Sequence, residues 1–85
     1  MINLNSQYRI EIQGHADNDG LESHNQKLSQ DRAEAVRDYL VEQGISESDI
    51  KAIGFGSSKP IFPNTSPANK QKNRRVEVFF RRSDN

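Results

Sequence analysis

Cysteine is absent from these 85 residues, so neither a disulfide nor a thiolate metal site can hold the chain together. Nor can the chain carry the cysteine through which a lipoprotein is acylated. Tryptophan is also missing, hydrophobic residues make up only 32%, and no apolar run approaches the ~20 residues of a membrane span. Met1 is not followed by the apolar stretch of a signal peptide. Twelve basic and twelve acidic side chains cancel, which removes the diffuse positive field expected of a nucleic-acid binder. The late cluster Lys70, Lys72, Arg74, Arg75, Arg81 and Arg82 reads as a solvated edge strand, and no nucleic-acid partner is expected. Only three prolines occur, and all lie between positions 60 and 67.

What remains is a polar chain with room for one small domain and a modest core. Residues 1–7 read as a flexible lead-in, 8–82 as the domain and 83–85 as a tail. Tyr8, Ile10 and Ile12 alternate with Arg9, Glu11 and Gln13, the period of a half-buried strand, which ends at Gly14. A polar loop with Asp17, Asp19 and Gly20 comes next. Ser23 and Gln26 fit a capping box ahead of a helix over 24–43, with Gly44 just beyond its end. Leu28, Arg32, Ala35, Val36, Tyr39 and Leu40 recur at helical spacing and form the stripe expected to pack on a sheet.

Residues 46–49 read as a short turn or 3₁₀ step, and 50–55 as a second strand, parallel to the first through the helical crossover. The proline-rich stretch forbids a long regular element, though Pro67 suits the first turn of a short helix over 67–71. A third strand is expected over 74–82, where Val76, Val78 and Phe80 alternate with Glu77, Phe79 and Arg81.

The segment 14–36 has the spacing G-H-A-D-x-x-G-x4-N-x-x-L-S-x-x-R-A-x-x-V. It resembles the OmpA-like peptidoglycan-binding domain, found also in peptidoglycan-associated lipoproteins and at the C-terminus of the flagellar stator protein MotB. The resemblance continues through Gly54-Phe55-Gly56, Pro60, Asn64 and Asn73-Arg74-Arg75-Val76-Glu77, and covers about 8–80. It implies an α+β two-layer sandwich, a βαββ-type remnant of that fold with one long helix on a mixed sheet. The family's domain usually opens with a further strand and helix, for which seven residues before Tyr8 leave no room. Its last strand lies between the first two and antiparallel to them. Without the opening strand, 74–82 becomes an open edge, and open edges recruit partners. A homodimer through that strand is therefore expected.

Chemistry points to the same stretch. A carboxylate holds an ammonium and a guanidinium fork holds a carboxylate, so Asp17 and Arg32 together suit a zwitterionic amino-acid end. The alternative is that the two bridge each other and merely fix the loop. Asn25, Leu28 and Arg32 share one helix face at i, i+3 and i+7, near a helix start that favours anions. The resemblance implies that Asp17 and Arg32 bind meso-diaminopimelate in the peptide stem of peptidoglycan. Asn25 and Leu28 would line that site, with Arg75 as a further polar contact. It implies a periplasmic home at the outer membrane, anchoring to the cell wall, no cofactor and no catalysis.

Where the family commonly has Thr, this chain has Ala16, which removes a hydroxyl from the loop. His15 and His24 lie nine apart across a loop; Asp17 and Asp19 are available as further ligands, but the expected role of His15 is a hydrogen bond that stiffens the loop, not a metal site. Asp17-Asn18-Asp19-Gly20 lacks the twelve-residue calcium-loop spacing. Ser23, Ser29, Ser57 and Ser58 have no base beside them. Gly54-Phe55-Gly56 is a strand exit and too short for a phosphate loop. An enzyme reading therefore has no support. An assembly module that uses the sheet edge is the alternative to a cell-wall binder.

Overall fold

A computed structural model describes residues 8–82; the expected lead-in 1–7 and tail 83–85 lie outside the described residues. Three strands, β1 (Tyr8–Gly14), β2 (Ile50–Gly54) and β3 (Val76–Arg82), form one mixed sheet in the order β2-β1-β3. β1 and β2 run parallel, with Ile10 beside Ile50 and Gly14 beside Gly54. β3 returns antiparallel, with Ile10 beside Phe80 and Ile12 beside Val78. The long helix α1 (Glu22–Glu42) crosses from β1 to β2 and covers one face. A 3₁₀ turn over Glu47–Asp49 precedes β2, and a short helix, α2 (Pro67–Asn73), precedes β3. The architecture is the expected two-layer α+β arrangement, with β3 at a sheet edge.

The core is small. Ile10, Ile12, Ala33 and Ile45 are buried, and Val36, Leu40, Ile50, Ala52 and Val76 pack against them. Strand alternation places Ile10 and Ile12 under the helix, while Arg9, Glu11 and Gln13 face solvent. On that outer face Arg81 donates to Glu11 at 3.2 Å and Gln13 to the same carboxylate at 2.5 Å.

The helix differs from its expected form in two ways. Its cap is Leu21, with no side-chain hydrogen bond, and not a box of Ser23 with Gln26. Gln26 cannot reach back to a cap because its amide donates to Gly54 O at 2.6 Å. Secondly, the fully buried line runs Asn25, Ser29, Ala33; of the expected stripe Val36 and Leu40 do pack against the core, whereas Ala35 and Tyr39 are exposed, Tyr39 by 60%. The cause is close approach. A Cβ on Gly14 would lie 2.0 Å from Ser29 O, and one on Gly54 would lie 2.4 Å from Gln30 N. Only small or polar helix residues fit over two glycines at that distance. At the C-terminus Gly44 takes the left-handed conformation, φ 102°, as expected after Gln43.

The two outer edges of the sheet differ. Phe55 N–H donates to Gly14 O at 3.0 Å, so by strand alternation the backbone groups of Ala52 and Gly54 point away from β1. Gln30 takes both: it accepts from Gly54 N at 2.7 Å and donates to Ala52 O at 3.1 Å. The β2 edge is thus sealed by an amide from the helix above it. At the other edge, Val76, Val78 and Phe80 point their backbone groups away from β1. Val78 (44% exposed) and Phe80 (68% exposed) lie beyond the helix's cover.

Candidate functional site

At the carboxyl ends of β1 and β2 the three motif fragments meet. His15 N–H donates to Arg75 O at 2.8 Å and Ala16 N–H to Gly56 O at 2.8 Å. The GHAD loop is therefore clamped between the Gly54–Gly56 exit and the start of β3, and both clamps use backbone atoms that no spacing pattern reveals. Carboxyl strand ends are where open α/β sheets tend to place ligands.

Further links hold this end together. Ser29 Oγ donates to Gln26 O at 2.9 Å and accepts Gly56 N–H at 2.8 Å. Glu22 accepts from the backbone and hydroxyl of Ser57, which hold its carboxyl below the usual range. Asn73 is fully buried and uses its whole amide. Its Oδ1 accepts from Ile61 N and Phe62 N, and its Nδ2 donates to Phe62 O and Asn64 Oδ1. That single side chain organises the proline-rich loop. Ser66 caps α2 by accepting Asn69 N–H at 3.1 Å, with Pro67 in the first turn.

Asp17 is 4% exposed and pairs with Arg74, not with Arg32. Its other oxygen, Oδ1, accepts Asp19 N–H at 3.0 Å. Asp19 in turn pairs with Lys70 at 2.7 Å, so two ion pairs tie the loop to α2 and its exit. Arg32 is partly buried and, among the described residues, has no ion-pair or hydrogen-bond partner. It lines an open pocket of ≈ 380 Å³ together with Gln71, Arg74, Arg75 and Val76.

The other expected site residues divide. Asn25 is 4% exposed and donates from Nδ2 to Asp19 O at 2.9 Å, so its amide holds the loop. Leu28 lies partly buried one turn before Arg32. Arg75 borders the pocket, but its guanidinium is committed to Glu77, Asn73 O and Lys59 O. Arg74 and Gln71 were not expected at the site. The signal was present for Arg74, in the first arginine of the N-R-R motif; for Gln71 there was none.

Beneath the loop His15 is 1% exposed and stacks on Phe55 with ring centroids 5.4 Å apart. Burial, followed by Arg75, lowers its pKa, against an opposing pull from Glu77. Neither ring nitrogen has a hydrogen-bond partner among the described residues. The described residues hold no group of three or more acidic or histidine side chains suited to a metal. A second hollow of ≈ 290 Å³ opens at the opposite end of the strands, among Arg9, Glu11, Lys51 and Arg81. Its charges are those of the solvent face, and no motif residue reaches it. No helix among the described residues is long and apolar enough to cross a membrane.

Residues 1–74 match the OmpA family. Outer membrane porin F of Pseudomonas fluorescens is 46% identical over 69 residues, which is 81% of this chain and 21% of the porin. The peptidoglycan-binding protein ArfA of Mycobacterium tuberculosis is 46% identical over 70 residues, 82% of this chain and 22% of ArfA. The crystal structure of the peptidoglycan-associated lipoprotein from Burkholderia pseudomallei superposes with a TM-score of 0.84 at 35% identity, covering 88% of this chain and 64% of that one. The chain thus spans about a fifth of the porin and of ArfA, and its mixed sheet with one long helix is the part it shares with the lipoprotein structure. With the match running through both the GHAD loop and the helix that carries Arg32, the chain belongs to the OmpA family.

Proposed function

We propose that this chain is a non-catalytic module that holds peptidoglycan by the free amino-acid end of meso-diaminopimelate, and so anchors its parent protein to the cell wall in the periplasm. The observation that carries the reading is Arg32, a guanidinium without a partner among the described residues, at the wall of an open pocket. A planar fork in that state suits a carboxylate in two parallel hydrogen bonds. Asp17 supplies the opposite charge at the same strand end, for the ammonium. Asn25 keeps the loop in place, Leu28 offers apolar contact, and Arg75 stiffens the pocket floor. The names of ArfA and of the lipoprotein support the same ligand class.

Stem peptides with lysine in this position lack the side-chain carboxylate and would leave Arg32 unpaired, which costs more than the loss of a neutral contact. The test is a ¹⁵N-HSQC titration with a diaminopimelate stem peptide. Shifts should centre on Asp17 and Arg32, and Arg32→Ala should abolish them in a protein that keeps its dispersed spectrum. Equal retention on lysine-type and diaminopimelate-type sacculi would refute the reading.

The β3 edge favours a second role, pairing with another copy of the chain. Among the described residues no strand lies beyond β3, and a strand edge beside exposed apolar residues is a template for strand addition. On this reading sedimentation at ~100 μM, enough to populate even weak pairs, shows a dimer. A monomer there refutes it.

A further inference from the structure

Three guanidinium groups border one pocket, and each is in a different state. Arg75 is fixed by three hydrogen bonds, Arg32 has no partner among the described residues, and Arg74 rests on Asp17 with 40% of its side chain exposed. The carboxylate under Arg74 is partnered on both oxygens and almost wholly covered. Asp19 N–H occupies Oδ1, Arg74 occupies Oδ2, and the side chain is 6% exposed. An incoming ammonium therefore reaches Asp17 only when Arg74 leaves it.

Charge balance governs where Arg74 goes next. In the free protein Asp17 and Glu77 offset Arg74 and Arg75, and Arg32 supplies one positive charge. A ligand with one ammonium and one carboxylate would satisfy Asp17 and Arg32 and strand Arg74 beside a second cation. Asp19, the nearest other carboxylate on the loop, already holds Lys70 at 2.7 Å. Like charges lining one pocket repel.

We propose that Arg74 is a specificity-determining residue: it leaves Asp17 as the ligand's ammonium arrives and then pairs with a second ligand carboxylate, distinct from the one on Arg32. The site thus selects an ammonium flanked by two separate carboxylates over a lone zwitterion. This rests on the reading of the pocket given above and adds the identity of the second anion's receptor. In a peptide stem that anion is the glutamate α-carboxylate or the stem-side carboxylate of diaminopimelate.

The test compares two N-acetylated tripeptides by calorimetry: acetyl-L-Ala-γ-D-Glu-meso-diaminopimelate, and the same peptide amidated at both of those carboxylates. Wild-type protein should bind the amidated peptide about tenfold more weakly, the scale of one charge-assisted pair. Arg74→Gln, at an exposed side chain, should bind the amidated peptide at least as well as wild type does, because Asp17 is no longer covered. Its two affinities should agree within about twofold. Equal binding of both peptides by wild type overturns the proposal alone, as does an Arg74→Gln variant that keeps the full tenfold preference. Failure of wild type to bind either peptide overturns the underlying reading with it.

Discussion

Replacing Gly14 by alanine adds one methyl group where the helix backbone already lies. The new Cβ would sit 2.0 Å from Ser29 O, 2.9 Å from Ser29 C and 3.4 Å from the Ala33 Cβ. Restoring a 3.4 Å contact to the Ser29 oxygen requires the helix to withdraw by 3.4 − 2.0 = 1.4 Å. Such a movement stretches the bonds that Gly54 O accepts from Gln26 (2.6 Å) and Ala52 O from Gln30 (3.1 Å), and those that Gly54 N–H donates to Gln30 (2.7 Å) and Gly56 N–H to Ser29 (2.8 Å). Overpacking of this kind costs about 1–3 kcal/mol, and each lost hydrogen bond about 1 kcal/mol more. The gain from removing a strand glycine, roughly 0.5–1 kcal/mol, offsets only part. With four bonds at stake, a loss of about 4–6 kcal/mol is a large share of the ~5–15 kcal/mol by which a domain is stable.

Gly20→Ala is the control. Its Cβ meets nothing within 4 Å, but its φ of 79° strains any L-residue, at about 1–2 kcal/mol. Urea midpoints followed by far-UV circular dichroism rank the two variants. Because α1 also carries Arg32, Gly14→Ala protein that remains folded should lose ligand shifts in the titration as well. A Gly14→Ala midpoint equal to wild type, or above that of Gly20→Ala, would show that helix and strand are not in the tight contact on which the reasoning depends.

Asn73→Leu keeps the branched shape but strands Ile61 N–H, Phe62 N–H and Phe62 O; a loss of about 3 kcal/mol and faster proteolysis between positions 57 and 66 are expected, checked by urea melts and mass spectrometry of digests. Gln30→Ala unseals the β2 edge, so light scattering at raised concentration should report association. Lys27→Ala should cause none, since Lys27 is exposed and, among the described residues, paired only with Asp31. His15 has a folded pKa below its ordinary value of 6.5, chiefly through burial. The unfolded chain therefore binds the proton first as pH falls, and stability declines below about pH 6.5. Urea midpoints at pH 7.5 and 5.5 should differ in that direction, and by less in His15→Phe, which retains the stacking surface for Phe55.

Periodicity and spacing by themselves determined the strands, the long helix, its glycine stop and the parallel crossover. These features depend on which residues alternate and which recur at helical spacing, and they need no partner. The positions of Asp17 and Arg32 were legible for the same reason: opposite charges in a glycine-flanked loop and on the helix after it stand out in any polar chain. Tertiary structure alone decided what those charges do. Asp17 meets Arg74, 57 positions away, because β3 returns antiparallel beside β1 and delivers the N-R-R segment to the loop. Nothing local distinguishes that arginine from its neighbour Arg75, which is bound to Glu77. Asn25 and Ser29, polar on a helix, were equally unreadable as buried positions until the sheet placed Gly14 and Gly54 beneath them. The capping box failed for the same reason, since a glutamine amide goes to whichever unpaired group the fold brings within reach, and here that group was a strand carbonyl.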